Sequence, residues 1–203
     1  MADDTLIETA PGANTEPPVL LLQGTGGTNM EMLNFGRRLA PQSPLITIAG
    51  RSGEGAQRQY FRQTAAGPVD ANQVAEEAQW LGASVKKICE HHHWASDRLI
   101  TVGYSNGAAM AAYGIQTGIL PGQRALLFHP LWLPVAQNVQ RPNYRAWLSA
   151  GQRDPLVAVA TVEKVAASCA KSGVATTLFQ TGGSHMLTPQ EVLAAKEWLS
   201  ENN

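Results

Sequence analysis

The sequence predicts an α/β fold with a mostly parallel central β-sheet and helices on both faces. Short, nearly continuous apolar segments alternate with longer segments in which apolar residues recur every three or four positions. Continuous apolar character is typical of parallel strands buried on both faces, and the alternation is typical of right-handed crossover connections. The length of 203 residues and the apolar fraction of 44% fit one domain with a full core.

Six apolar segments are predicted to be strands of the sheet. They lie at 19–23, 45–49, 99–103, 125–129, 146–150 and 175–180. Residues 1–18 are polar and end in two prolines, so we interpret them as a mostly loose arm with one short edge strand near Leu6 and Ile7. Residues 19–203 are predicted to form a single domain, with too little length left over for a large cap domain.

Five segments are predicted to be helices. They lie at 32–40, 71–92, 108–117 and 157–172, and the last begins after Thr188. Asp70 is the predicted N-cap of the second helix, and Gly173 is placed to end the fourth. The run Thr188-Pro189-Gln190-Glu191 has the pattern of a capping box with proline at the first helical position. The segment 50–68, between the second predicted strand and the second predicted helix, is predicted to be a long functional or mobile loop.

Composition argues against several classes of protein. With 15 basic and 16 acidic side chains, the net charge is −1, which gives no electrostatic footprint for nucleic acid. Cys89 and Cys169 lack metal-binding spacing and are expected to be buried thiols. No secretory signal and no run of 18 apolar residues is visible, so we expect a cytoplasmic protein without stable membrane insertion.

A nucleophile motif follows the third predicted strand. Gly103-Tyr104-Ser105-Asn106-Gly107 fits G-x-S-x-G, and a small-residue helix follows it. Strand, sharp turn and helix form the setting that a nucleophile elbow needs. Ser105 is therefore the candidate nucleophile.

Candidates for the base and for its orienting acid follow from chain order. In this arrangement the acid follows the serine and the histidine comes last. Asp154 is the sole aspartate after Ser105, and it lies just past a predicted strand. Of the two later histidines, His129 precedes Asp154 and is expected to be structural, whereas His185 lies in a glycine-rich loop after the last strand. We therefore predict Asp154 and His185 as the partners of Ser105.

Other clusters are given simpler interpretations. His91-His92-His93 lies at the end of a long helix, where consecutive side chains point in different directions, so no metal site is predicted. The loop Gly24-Thr25-Gly26-Gly27 lacks the third glycine of a dinucleotide fingerprint. We expect this loop to supply the Thr25 N–H to an oxyanion hole and Asn106 to supply the second N–H.

These motifs together resemble the phospholipase/carboxylesterase group of small α/β-hydrolases, which is related to dienelactone-hydrolase-like proteins. The resemblance covers roughly residues 19–200. It rests on residues 22–27, 103–108, 127–130, 151–155 and 185–188.

The resemblance implies hydrolysis of ester bonds without a cofactor, through a Ser105–Asp154–His185 triad and an oxyanion hole at Thr25 and Asn106. Two positions depart from the group. Gln23 stands where members usually have histidine, and Ser105 stands where dienelactone hydrolases have cysteine.

The expected substrate is a small ester with a short or medium acyl chain in an open site. Phe61, Trp132 and Met186 are candidate apolar contacts, and Arg51 is a candidate partner for a substrate carboxylate. The same triad would also serve a thioesterase or a lysophospholipase, and a non-catalytic binding protein is the alternative outside the enzymes. The sequence leaves open whether the protein forms a homodimer.

Overall fold

The protein is a three-layer α/β structure around one seven-stranded sheet. The computed structural model describes residues 6–63 and 69–202. The strand order is β1-β3-β2-β4-β5-β6-β7, and every neighbouring pair is parallel except β1 with β3. The strands are β1 Ile7–Ala10, β2 Val19–Leu22, β3 Leu45–Ile48, β4 Ile100–Tyr104, β5 Arg124–Phe128, β6 Arg145–Gly151 and β7 Ala175–Thr181.

The six predicted strands are all present, and each end lies within one residue of its expected position. β2 and β3 are buried along their whole length, as expected for strands covered on both faces. Parallel registers such as Leu22 with Gly103 and Tyr104 with Phe128 align the carboxyl ends of β2, β4 and β5.

The N-terminal arm is more ordered than the sequence indicates. Ile7–Ala10 forms the antiparallel edge strand β1, and the N–H of Ala49 donates to the carbonyl of Leu6. Farther along, the N–H of Ala13 donates to the carbonyl of Gln42. The expected edge strand near Leu6 and Ile7 is therefore present, and its pairing with β3 satisfies backbone groups of the arm that would otherwise face water. Residues 1–5 lie outside the described residues.

The five predicted helices are present, and their caps explain their ends. They are α1 Asn29–Leu39, α2 Ala71–His92, α3 Asn106–Gln116, α4 Val159–Lys171 and α5 Pro189–Glu201. Asp70 caps α2 through the N–H groups of Asn72 and Gln73, and Thr188 with Glu191 forms the capping box of α5. The first helix begins three residues earlier than predicted because Thr28 and Glu31 form a second capping box.

The helices divide between the two faces of the sheet. α1 and α5 contribute Met32, Leu39 and Trp198 to one apolar cluster with the strand residues Leu21 and Val102. α2, α3 and α4 cover the other face, where the core includes larger residues of α2 and four alanines of α3, at 108, 109, 111 and 112. Small side chains let α3 lie close to β4, which sets the position of the residue that joins them.

The segment after β3 is ordered over 50–63. Ser52 and Gln59 pair as an isolated bridge around a short 3₁₀ turn at Gly55–Gln57. The rings of Tyr60 and Phe61 are fully buried. The rest of the predicted loop, 64–68, lies outside the described residues.

None of the helices in the described ranges has the length and apolar character that crossing a lipid bilayer would require.

Candidate active site

Polar side chains meet at the carboxyl ends of four adjacent strands. Ser105 follows β4, His129 follows β5, Asp154 lies just beyond β6 and His185 lies beyond β7. Carboxyl ends of parallel strands share one edge of a sheet, and open α/β sheets bind ligands there. The sheet therefore gathers residues that are far apart in sequence.

Ser105 occupies a strained turn between β4 and α3. Its backbone has φ 52 and ψ −113, a conformation that a residue with a side chain rarely adopts. The turn needs glycine on both sides. A Cβ at Gly103 would lie 2.6 Å from the Cα of Ala108, and one at Gly107 would overlap the carbonyl oxygen of Gln23. This geometry is that of a nucleophile elbow.

Ser105, His185 and Asp154 form a continuous chain of hydrogen bonds. The Ser105 hydroxyl donates to Nε2 of His185 across 3.0 Å. The opposite ring nitrogen, Nδ1, donates to Oδ2 of Asp154 across 2.7 Å. A hydroxyl, an imidazole and a carboxylate in this order can move a proton from the serine to the ring.

Asp154 is held as a carboxylate by its surroundings. Its Oδ1 accepts the N–H groups of Leu156 at 2.8 Å and Val157 at 2.9 Å. Burial by itself raises the pKa of Asp154, but the hydrogen bonds from His185, from these two backbone groups and from His129 outweigh it and hold the pKa below the usual range. The acid is therefore charged and fixed in orientation at neutral pH.

His129 lies behind Asp154 and joins it to a second carboxylate. Its Nδ1 is 2.9 Å from Oδ2 of Asp154, and its Nε2 is 2.7 Å from Oε1 of Glu191. All three side chains are completely buried. His129 thus has a partner at each ring nitrogen, in keeping with the structural role we expected. Glu191 was not singled out in the sequence, because its capping box explained it fully.

The glycine loop after β2 approaches the serine closely. A Cβ at Gly24 would lie 2.8 Å from the ring of Tyr104 and 3.5 Å from the Cβ of Ser105. In the described part of the chain, neither the Thr25 N–H nor the Asn106 N–H has a hydrogen-bond acceptor. Both donors are thus available at the loop and at the start of α3, where we expected an oxyanion hole.

The side chain of Asn106 connects the elbow to the segment 50–63. Its Oδ1 accepts the N–H of Tyr60 at 2.8 Å, and its Nδ2 donates to the carbonyl of Phe61 at 3.2 Å. The Tyr60 hydroxyl in turn donates to Ile48 and accepts the N–H of Gln23. These bonds fix the backbone of Gln23, just before the glycine loop, and that of Tyr60 and Phe61 beside it. Sequence analysis missed this role because Tyr60 and Phe61 are not part of a recognised motif.

Tyr104 fixes the loop that carries His185. Its hydroxyl donates to the backbone carbonyl of His185 at 2.9 Å, and the two rings lie 5.3 Å apart. Burial, together with the charges of Asp154 and Glu191, raises the pKa of Tyr104 to about 12, so this hydroxyl stays protonated as a donor. As the second residue of G-x-S-x-G, Tyr104 had given no sign of this contact in the sequence.

The structure argues against two of the predicted substrate contacts. Phe61 is only 1% exposed, because its ring packs into the core beside α2 and α3, so it does not form a wall of an open site. Arg51 pairs with Glu77 of α2 at 2.7 Å and lies over the ring of Trp80 at 4.4 Å. The buried carboxylate of Glu77 takes the place of the substrate carboxylate that we expected.

The other two predicted contacts differ in exposure. Trp132 is half-buried against the core, and the ammonium group of Lys164 lies 4.0 Å from the centre of its ring. Met186 follows His185 directly and is 73% exposed, and Leu156, two residues after Asp154, is 70% exposed. Two residues of the candidate triad, His185 and Asp154, therefore have apolar side chains beside them that face solvent.

One group of side chains has the composition of a metal site. The ligand atoms of His129, Asp154 and His185 lie within 4.8 Å of one another. Both Nδ1 atoms point at the same oxygen of Asp154 at hydrogen-bond distance. We therefore assign protons, and no ion, to the space between them.

Comparison with known proteins identifies relatives over nearly the whole chain. The Dienelactone hydrolase family matches residues 4–185. MhqD of Bacillus subtilis (strain 168), whose name assigns it to the hydrolases, is 30% identical over 90% of this chain and 92% of its own.

Two solved structures share the fold. YahD, determined with malic acid, has a TM-score of 0.90 and 28% identity, covering 97% of this chain and 98% of its own. The Bacillus cereus carboxylesterase has a TM-score of 0.91 and 24% identity, covering 97% and 94%.

Proposed function

The chain belongs to the dienelactone hydrolase family, and we propose that it is a serine hydrolase that cleaves carboxylic esters of short to medium acyl chains. The observation that carries the proposal is the hydrogen-bond chain from Ser105 through His185 to Asp154, with Ser105 in a strained elbow. The comparisons support the coarser conclusion that the chain is a hydrolase of the dienelactone hydrolase and carboxylesterase type.

In the proposed reaction, Ser105 is the nucleophile and His185 the base. His185 accepts the hydroxyl proton at Nε2 while Oγ attacks the ester carbonyl, and Asp154 stabilises the imidazolium that results. The imidazolium then protonates the leaving alcohol. Water attacks the acyl-enzyme with His185 again as base, which releases the carboxylic acid and restores the serine.

The proposed oxyanion hole consists of the backbone N–H groups of Thr25 and Asn106. Two observations support this assignment: Gly24 approaches Ser105 closely, and Asn106 lies in the first turn of α3. A helix start also favours developing negative charge. Donors fixed before the reaction stabilise the tetrahedral intermediate without reorganising during it.

The surroundings of the triad support an apolar acyl group. Met186 and Leu156 adjoin His185 and Asp154 and expose most of their side chains to solvent. Contact with an acyl chain would remove this apolar surface from water, at roughly 25 cal/mol per Å² buried. We propose Met186 as an acyl contact, and leave lysophospholipids and thioesters as alternative substrates of the same triad.

The first test is a series of initial rates on p-nitrophenyl esters from acetyl to palmitoyl. The wild-type protein should turn over the short and medium esters, and Ser105→Ala should lower kcat by about 10⁶, since removing a triad serine removes the whole acylation route. Folding of the variant is checked by circular dichroism.

Two outcomes would contradict the proposal. Equal activity of wild type and Ser105→Ala would show that Ser105 is not the nucleophile. Absence of turnover by the wild type on the p-nitrophenyl esters, with turnover of acyl thioesters or lysophospholipids, would move the function to one of the alternatives.

A further inference from the structure

The buried histidine behind the triad is bonded to two carboxylates. His129 Nδ1 faces Oδ2 of Asp154, and Nε2 faces Oε1 of Glu191, at 2.9 and 2.7 Å. Carboxylate oxygens are acceptors when ionised, whereas a neutral imidazole has only one N–H. The contacts are therefore all satisfied only when one additional proton is present on the His129–Glu191 pair.

The partners of Glu191 decide where that proton lies. Its Oε2 already accepts the N–H and the hydroxyl of Thr188, both at 2.9 Å, so two donors favour its ionised form. Burial lowers the pKa of His129, but the hydrogen bonds and charges of Glu191 and Asp154 outweigh this and raise it. The hydrogen bonds from His129 and Thr188 likewise outweigh burial and lower the pKa of Glu191. The proton belongs on the ring.

The same contacts explain how His129 acts on the triad. Oδ2 of Asp154 accepts from His185 on one side and from His129 on the other, while Oδ1 accepts two backbone N–H groups. Because each oxygen accepts two hydrogen bonds, the carboxylate is held in one orientation. Glu191 also caps α5 through Thr188, three residues after His185, so the chain of contacts ends beside the loop that carries the base.

We propose that His129 is a buried imidazolium, held by Glu191, and that it is a positioning residue that orients Asp154 for the triad. This inference rests on the proposed serine hydrolase function. His129 makes no contact with Ser105 in the described structure, and the groups that face it are Asp154, Glu191 and the rings of His185 at 5.4 Å and Tyr104 at 6.3 Å.

The protonation state is tested by NMR of the ring nitrogens in ¹⁵N-labelled wild-type protein at pH 8. A histidine with the ordinary pKa of about 6.5 is neutral at this pH. We expect protons on both Nδ1 and Nε2 of His129. In Glu191→Gln, the amide can donate to Nε2, so His129 should become neutral, keeping the Nδ1 proton alone.

A matched control is present in the first helix. Glu31 makes the same capping box with Thr28, at 2.8 and 2.9 Å, but it is exposed. Glu31→Gln should leave both His129 protons in place. An unprotonated ring nitrogen on His129 in the wild type would overturn the imidazolium, whether or not any ester is hydrolysed. Absence of esterase activity would instead remove the proposed function and leave this measurement valid.

The positioning role is tested with two amide variants of His129. In His129→Asn, the amide nitrogen takes the place of Nδ1 and can still donate to Asp154. In His129→Gln, it takes the place of Nε2 and can donate only to Glu191. We expect the Gln variant to have a kcat at least about tenfold lower than that of the Asn variant, with KM values within about twofold, because small displacements of a catalytic group are costly.

Both variants are compared per folded molecule, since φ is 48 at His129 and asparagine tolerates this conformation better than glutamine. Equal kcat losses in the two variants, or a difference confined to KM, would overturn the positioning role and leave His129 as a purely structural residue.

Discussion

At the residue scale, the proposed triad is oriented by side chains that do not take part in the reaction. Tyr104 holds the backbone of His185, Asn106 holds the backbone of Tyr60 and Phe61, and His129 holds the carboxylate of Asp154. Each of these contacts is a single hydrogen bond or a pair of them. These contacts matter because they hold the reacting groups within hydrogen-bond distance of one another.

Removing the hydroxyl of Tyr104 tests one such contact. Tyr104→Phe deletes the hydrogen bond to the His185 carbonyl and keeps the ring. We expect a loss of about 0.5–1.5 kcal/mol in the free energy of unfolding, together with a lower kcat, because His185 loses a constraint. Urea unfolding and initial rates measure the two effects.

Tyr113→Phe is the control for this variant, since Tyr113 is a half-buried tyrosine on the neighbouring helix α3 with no hydroxyl contact to the triad. A Tyr104→Phe protein with unchanged kcat would show that the His185 loop needs no anchor.

At the scale of elements, helix caps and one ion pair between the segment 50–63 and α2 determine the positions of the loops. The capping boxes of α1 and α5 have the same bonds, but only the carboxylate of α5 reaches a histidine. The segment 50–63 is attached to α2 by Arg51, whose backbone N–H and Nε both donate to Glu77. This segment carries Tyr60, so α2 contributes indirectly to the backbone around Asn106.

Arg51→Ala should destabilise the protein. Burial raises the pKa of Glu77 while the bonds from Arg51 lower it, so removing the guanidinium leaves a buried charge without its partner. We expect a loss of about 1–3 kcal/mol at neutral pH. The loss should shrink at acid pH, because protonation of Glu77 removes the buried charge. Urea unfolding at pH 7 and pH 4.5 measures both values.

The hypothesis that Arg51 binds a substrate carboxylate predicts a different result for the same variant, namely a raised KM for acidic esters only. Arg51→Ala protein with wild-type stability and that selective KM change would restore Arg51 as a substrate contact. Glu77→Gln, which keeps the shape of the pair, is the companion variant.

At the scale of the whole molecule, strand order brings the proposed triad and His129 together. Ser105, His129, Asp154 and His185 follow β4, β5, β6 and β7, which are neighbours in the sheet. Adjacent strands are about 4.8 Å apart, so β7 lies roughly 14 Å from β4. The glycines at 182 and 183 precede His185 in the loop that returns across this distance, and the Tyr104 hydroxyl anchors its end.

This clustering predicts how stability depends on pH. The folded pKa values of Asp154 and Glu191 are lowered, so their contribution is present above the ordinary carboxyl range near pH 4 and is lost as pH falls through the folded values. The folded pKa of His129 is raised, so its contribution is complete below about pH 6.5 and is lost as pH rises through the folded value.

The free energy of unfolding should therefore be highest between about pH 5 and 6.5 and fall on both sides. The alkaline fall should be smaller in Glu191→Gln, in which His129 is neutral. Urea unfolding from pH 4 to pH 9 measures both curves. Parallel curves for the two proteins above pH 6.5 would contradict the prediction.

Much of the fold was readable from local signals in the sequence. Apolar runs located the six parallel strands, and Asp70, Gly173 and the Thr188–Glu191 box located helix ends, because these features depend on residues within a few positions of each other. The candidate triad was also readable, since G-x-S-x-G and the order of the later acid and histidine leave few choices. The antiparallel pairing of β1 was underestimated, because an edge strand depends on a distant partner.

The sequence by itself therefore determined the fold class, the helix caps and the identity of Ser105, Asp154 and His185 as the candidate site. Only the tertiary structure decided which other residues surround that site. Phe61 lies in the core and Arg51 pairs with Glu77, so neither lies where we expected it. Tyr104, His129 and Glu191 lie around the candidate site instead. The physical reason is that a hydrogen bond between residues 129 and 191, or 104 and 185, depends on strand order and packing across the whole sheet, and no local pattern records it.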